Sequence, residues 1–251
     1  MYLLVCNAGS TSLKFKLFEM PAEKVLAEAK VERIGRRNNG IFTYKNPVCN
    51  GERHLEKVDI PTYTEGIQLF LDCMLSDDET IGALSDISKI EKVGFKTVLA
   101  PGYSVHVIDE QVEARMREFL DVAPAHNGPY LEAVSHFRKL LPDAVLVGAF
   151  ETAFHETIPL ERKIYAVPYE WYEKYGFQRM GYHGASHSYV SETIELKFGS
   201  TDKMISCHLG GSCSLCAIDE GKSVDTTFGL SLQNGICHAN RCGDLDVYVS
   251  V

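Results

Sequence analysis

The stretch that most narrows the fold is the first. An apolar run, Tyr2-Leu3-Leu4-Val5-Cys6, meets the small-residue loop "NAGSTSLK" (7–14), and Phe15-Lys16-Leu17-Phe18 comes next. Residues 2–7 and 12–18 read as two strands, so the chain opens on a hairpin. Its loop has two readings. Gly9 and the hydroxyls of Ser10, Thr11 and Ser12 are ordinary turn residues. With Lys14 they also supply what a phosphate cradle needs: small residues that let backbone amides converge, hydroxyls and a cation. The G-x-x-x-x-G-K-[ST] spacing of a Walker A loop is absent, and a strand comes after the loop. Alone, the loop favours the turn.

Downstream, "KVLAEAKVERI" (24–34) reads as a third strand and 35–54 as a polar, glycine-containing connection. "TEGIQLFLDCML" (64–75) spaces Ile67, Leu69, Phe70 and Met74 as a helix does. "EKVGFKTVLAPG" (91–102) reads as a buried strand entering a Pro-Gly turn, 109–122 and 129–141 as helices, and "DAVLVGAF" as a buried strand stopping at Glu151. This order predicts a mixed α/β domain over 1–150. A second block, 151–251, shows a helix at 185–199 and three strands joined by Gly210-Gly211 and Glu220-Gly221 turns. It closes on "NRCGDLDVYVSV", an apolar, strand-like run. One helix and three strands leave apolar faces and strand edges uncovered, so the second domain is expected to be incomplete.

Composition removes several function classes. The 251 residues suffice for one large domain or two ordinary ones. Lys and Arg number 25 against 34 Asp and Glu, a formal charge of −9, which argues against bulk nucleic-acid binding. No run approaches the ~20 apolar residues of a membrane helix. Asn7 to Ser12 interrupts the first apolar run, and no basic region precedes it, so no signal peptide is expected. The eight cysteines are irregularly spaced and read as reduced thiols in a cytoplasm. Cys213-x-x-Cys216 invites a zinc site, but residues three apart on a strand face opposite sides of the sheet.

The remaining polar features are modest singly. Glu151 stands just past an apolar strand, where α/β sheets bind ligands, or caps the next segment of chain. His183 precedes Gly184 and a helix start; Arg241 sits in a glycine-containing turn as an anion clamp or a surface arginine. In order and spacing, however, "NAGSTSLKFKLF", "ETAFHETIP", "YGFQRMGYHGASH", "CHLGGSCSLCAIDEGKSVDTTFGLS" and "NRCGDLD" resemble acetate kinase and its acyl-phosphate-forming relatives across nearly the whole chain. The resemblance implies the actin/hexokinase/Hsp70-like α/β class (ribonuclease H-like mixed sheets), with two domains closing on a cleft. The implied reaction moves a phosphoryl group between ATP and a short-chain carboxylate, with Mg²⁺. Asn7, Ser10, Ser12 and Lys14 would lie beside the phosphates and the metal, with His208, Gly210 and Gly211 in a second phosphate loop. His183 and Arg241 would stabilise the planar transferring group. Glu151 takes the place of an aspartate that organises metal and substrate. The resemblance also implies a homodimer formed largely through the second domain.

The departures are specific. Lys96 stands where the family has a carboxylate-binding arginine, keeping the charge and losing the bidentate fork. Glu151 adds a methylene to the family's aspartate, and Gly211 replaces an asparagine. The substrate pocket would include Val98, Ala125, Tyr182 and Leu232. Ala125 and Leu232 replace a leucine and a proline, which leaves open the acid that fits. The family's chain continues further, adding the adenosine pocket. Two hypotheses therefore stand: an acyl kinase carrying its N-terminal portion here, and a relative that binds without turnover.

Overall fold

Leu13, Phe15 and Leu17 alternate with Ser12, Lys14 and Lys16, and that period of two sets the first sheet. In the computed structural model, which describes residues 1–97, 99–122, 124–200 and 202–249, β1 (Tyr2–Gly9) and β2 (Ser12–Glu19) pair antiparallel. Their register sets Asn7 opposite Lys14 and Gly9 opposite Ser12. Leu4, Cys6, Ala8, Leu13, Phe15 and Leu17 are all buried.

The chain forms two units. The first comprises Met1–Thr97, Val105–Leu120 and Pro124–Ala149. Here β3 (Lys24–Glu32), β4 (Gly40–Asn46) and β5 (Gly51–Val58) extend the hairpin antiparallel. Helix α1 (Tyr63–Met74) leads to β6 (Ile90–Thr97), which runs parallel to β1 with Cys6 opposite Phe95. With β7 (Val105–Val107) and β8 (Val145–Phe150) the sheet order is β5-β4-β3-β2-β1-β6-β8-β7. Helices α2 (Glu110–Glu118) and α3 (Pro124–Leu140) complete the unit. A capping box between Thr62 and Glu65 starts α1. Phe15 of β2 stacks on Phe70 of α1 at 4.5 Å, and Phe137 of α3 meets both Phe15 and Phe95 edge-on. That phenylalanine cluster seats both helices on the sheet.

Two expectations in this unit need correcting. The connection expected over 35–54 holds β4 and the start of β5. β4 alternates inward through Phe42 and Tyr44, whereas β5, "GERHLEKV", is an edge strand with no buried residue. Charges protect such an edge and erase its hydrophobic signal. Helix α3 begins at Pro124, ahead of 129, with Pro129 inside it. Burial of Tyr130, Val134 and Phe137 outweighs the proline's cost.

The second unit comprises Val98–Ser104, Asp121–Ala123 and Phe150–Val251. A 3₁₀ segment (Glu151–Thr157) succeeds β8, then α4 (Leu160–Lys163), α5 (Tyr169–Tyr175) and α6 (Gly184–Phe198). β9 (Lys203–Leu209), β10 (Cys213–Asp219) and β11 (Lys222–Thr226) form an antiparallel sheet in the order β11-β10-β9. α6 packs on β9 and the 3₁₀ segment on β11. The unit is thus more helical than its pattern suggested. α5 lies between Pro168 and Gly176, a start and stop signal of the usual kind. The apolar run expected as a final strand instead forms a 3₁₀ turn at Val247–Val249. The Asp246 carboxylate accepts from Tyr248 N (2.9 Å), the local bond that competes with extended structure.

Candidate active site

In the first unit the β1–β2 turn is Ser10-Thr11, both exposed. Two carbonyls, the one before the turn and the one that ends it, are turned inward: the Tyr63 hydroxyl donates to Gly9 O (2.6 Å), and Ile34 N donates to Thr11 O (3.0 Å). Burial pushes the Tyr63 phenol up to about 12, so it stays a donor. Carbonyls held inward turn their negative ends away from an approaching anion. The Tyr130 hydroxyl of α3 donates to Asn7 Oδ1 (2.9 Å) and fixes that amide. Asn7 and Lys14 are cross-strand partners and share a face. Neighbouring Lys16, Lys30 and Lys45 each pair with a glutamate at 2.8 Å, whereas Lys14 makes no ion pair among the described residues. Because β6 runs parallel to β1, Lys96 stands beside Asn7 at the strands' carboxyl ends, the usual ligand edge of an α/β sheet. Val98 lies outside the described residues, as does the side chain of Ala125.

The second unit assembles a tighter group. His183 is the N-cap of α6 and adopts φ 58°, a left-handed conformation uncommon for a residue with a side chain. Its Nδ1 lies 2.8 Å from Ser214 Oγ, and its ring stacks on His208 at 4.0 Å. Two glycines allow this. Gly181 has φ +67° and lies so close to His155 that a Cβ would come within 2.4 Å of the ring. At Gly184 a Cβ would stand 1.8 Å from the Glu151 carbonyl oxygen, so the start of α6 sits directly on the Glu151 backbone. Between them Tyr182 is buried and donates its hydroxyl to Leu230 O (2.7 Å). Burial, and secondarily the charge of Glu151, push the Tyr182 phenol upward.

Arg241 is tied into the same group. Its guanidinium donates to the Leu232 carbonyl. Ala239 N donates to Gly211 O (3.1 Å), Cys213 N to His238 Nδ1 (2.9 Å), and His238 N to Arg241 O (2.9 Å). Phe228 meets the His183 ring on one side and the His238 ring on another, at 5.2 Å each. His183, His208, Gly210, Gly211 and Arg241 are therefore one contiguous set, with Tyr182 and Leu232 adjoining. Asn7, Ser10, Ser12, Lys14 and Lys96 form a separate set within the first unit.

Several supporting residues carry no signature in the pattern of the sequence. Tyr63 and Tyr130, which hold the first turn, are single tyrosines in helices. Ser206, Ser214 and His187 back His183; their one visible signal is serine at inward positions of β9 and β10. The cysteines are all free, and no group of three or more His, Cys, Asp or Glu able to hold a metal occurs among the described residues. Asn7 Oδ1 and the Glu151 carboxylate are hard oxygen donors. Each, within its own unit, is of the donor class that Mg²⁺ takes.

Residues 2–250 match the family model described as the acetokinase family. The acetate kinase of Halothermothrix orenii is 40% identical, with 98% of this chain and 62% of that protein covered. The acetate kinase of Clostridium kluyveri is 39% identical, with 98% and 60% covered. Among solved structures, Porphyromonas gingivalis acetate kinase matches with a TM-score of 0.87 and 34% identity, covering 99% of this chain and 62% of that one. A propionate kinase from Francisella tularensis matches with a TM-score of 0.88, 27% identity and the same coverage. The chain spans about 60% of the length of the curated relatives it matches.

Proposed function

The chain belongs to the acetokinase family, and from that premise we propose that it takes part in phosphoryl transfer between ATP and a short-chain carboxylate, giving ADP and an acyl phosphate. The observation that carries the proposal is the contiguous set of His183, His208, the Gly210-Gly211 turn and Arg241 in the second unit. Transfer of this kind is catalysed by positioning and by donors aimed at the equatorial oxygens. Arg241, held on the Leu232 carbonyl, and His183, held on Ser214, supply such donors. Ser10, Ser12 and Lys14 bind phosphate oxygens by hydroxyl and charge. Lys96 meets the acid's carboxylate as a point charge. Tyr182 and Leu232 of the second unit contact its alkyl group. In the first unit Asn7 would offer Mg²⁺ its amide oxygen, and in the second unit Glu151 would keep the metal-organising role of the family's aspartate; the ion would supply positive charge against the phosphates.

Free thiols throughout suit a reducing cytoplasm. No described helix is long and apolar enough to cross a membrane. The same proposal carries a homodimer formed through the second unit, which sedimentation velocity checks.

The test is ATP-dependent hydroxamate formation with Mg²⁺, hydroxylamine and a panel of short acids. The expected result is acid-dependent product, reduced about 10²-fold or more in Arg241→Ala. Lys96 and Gly211, each lacking a donor that the family has, favour a second reading of binding without turnover. Nucleotide binding by folded protein that yields no hydroxamate would establish that reading.

A further inference from the structure

Behind His183 runs a row of buried side chains that the transfer itself does not use. Ser206 Oγ lies 2.9 Å from His187 Nδ1, and His187 Nε2 lies 2.8 Å from Ser214 Oγ. Ser214 Oγ in turn lies 2.8 Å from His183 Nδ1. Ser206 is 4% exposed, and His187 and Ser214 are fully buried. Each hydroxyl has one hydrogen, and a neutral imidazole has one N–H and one lone pair. Burial holds His187 neutral, its pKa drawn down to about 4.

The hydrogens then fit one arrangement. The only hydrogen-bond partner of the Ser206 hydroxyl among the described residues is His187 Nδ1. Were His187 to donate there, the serine hydrogen would be buried without an acceptor, the costly case. Ser206 therefore donates, and His187 carries its hydrogen on Nε2 and passes it to Ser214 Oγ. Ser214 bridges two ring nitrogens, and its own hydrogen is satisfied only by donating to His183 Nδ1.

We propose that Ser206, His187 and Ser214 form a one-directional relay that locks His183 as its Nε2–H tautomer. His183 thereby presents a hydrogen-bond donor to whatever it binds and is barred from acting there as a base. That the bond goes to a phosphoryl oxygen rests on the function proposed above; the tautomer does not. His187 and Ser214 are positioning residues. A matching row fixes the preceding peptide. The Tyr182 carbonyl can only accept, so His155 Nε2 donates to it (3.0 Å). Ser223 then donates to His155 Nδ1 (2.8 Å), and Cys216 Sγ lies 3.3 Å from Ser223 Oγ.

The test is long-range proton–nitrogen NMR on protein carrying ¹⁵N-histidine near neutral pH, with the His183 signals assigned by their loss in His183→Gln. The expected native state is Nε2–H. Ser214→Ala should release His183 into a mixture of tautomers, and Ser214→Thr, which keeps the hydroxyl, should retain Nε2–H. A native Nδ1–H form overturns the relay even if Ser214→Ala fails to fold, and so does a tautomer unmoved in a folded Ser214→Ala. Native Nε2–H together with undiminished transfer in His183→Gln would leave the relay standing and overturn the phosphoryl reading instead.

Discussion

Replacing Gly184 by alanine sets two rules against each other. Gly184 opens α6, and helix propensity alone predicts that alanine stabilises, by up to about 1 kcal/mol. Packing predicts the reverse. The new methyl would stand 1.8 Å from the Glu151 carbonyl oxygen and 2.9 Å from Phe154 Cβ, where an ordinary contact needs roughly 3.5 Å. The start of α6 must therefore retreat from the 3₁₀ segment by more than about an ångström. Overpacking costs typically about 1–3 kcal/mol. A backbone oxygen has no rotamer by which to yield, which puts this site at the upper end. Net destabilisation should be about 2 kcal/mol, read from urea midpoints. His183 moves with the helix end, and a displacement of ~1 Å costs on the order of 10²-fold in rate, read from hydroxamate formation. Gly211→Ala is the control for stability, because a Cβ there meets nothing within 4 Å; its change should stay within about 0.5 kcal/mol. Stability equal to or above the parent's in Gly184→Ala would refute the placement of α6 on Glu151.

Three further substitutions or conditions have definite outcomes. Gly211→Asn restores the amide that the family carries and has open space to enter; a hydrogen bond to a charged group contributes about 1.5–3 kcal/mol. Calorimetric titration with MgATP should then show at least about tenfold tighter binding, and no change would mean that this turn does not meet phosphate. Lys96→Arg restores the bidentate fork and should lower KM for the carboxylate about tenfold with kcat little altered; an unchanged KM removes Lys96 from the acid site. Finally, His155 and His187 take up a second, charging proton only below about pH 4 in the fold, against the ordinary 6.5. The unfolded chain takes up more protons between those values, so their contribution is complete above pH 6.5 and is lost as pH falls towards 4. At 1.36 kcal/mol per pKa unit the loss approaches about 3 kcal/mol per ring. Urea midpoints that stay level from pH 7 to 4.5 would contradict two neutral buried rings.

Legibility tracked the strength of local patterning. β1 and β2 were readable because one face of each is buried, and the Gly210-Gly211 turn because it interrupts two apolar strands. β5 was not, since an edge strand protected by charges resembles a loop. α5 was not, since its seven residues bury none of their side chains and so show no stripe. Among site residues, the hydroxyl-rich loop and Arg241 could be singled out by type and spacing. The groups that hold them could not. Tyr63 acts on Gly9 from 54 positions away and Tyr130 on Asn7 from 123. Ser214 acts on His183 from 31 positions away. Such pairings arise from the tertiary fold and leave no local trace.

The proposed passage of a phosphoryl group between nucleotide and carboxylate, stabilised by Arg241, is reversible. The reverse direction tests it most directly: the protein is given acetyl or propionyl phosphate with MgADP, and ATP is monitored by luciferase light. ATP formation that requires the acyl phosphate and falls about 10²-fold or more in Arg241→Ala is the expected result. ATP formation unaffected by that substitution, or none at all from protein shown to be folded, would contradict it.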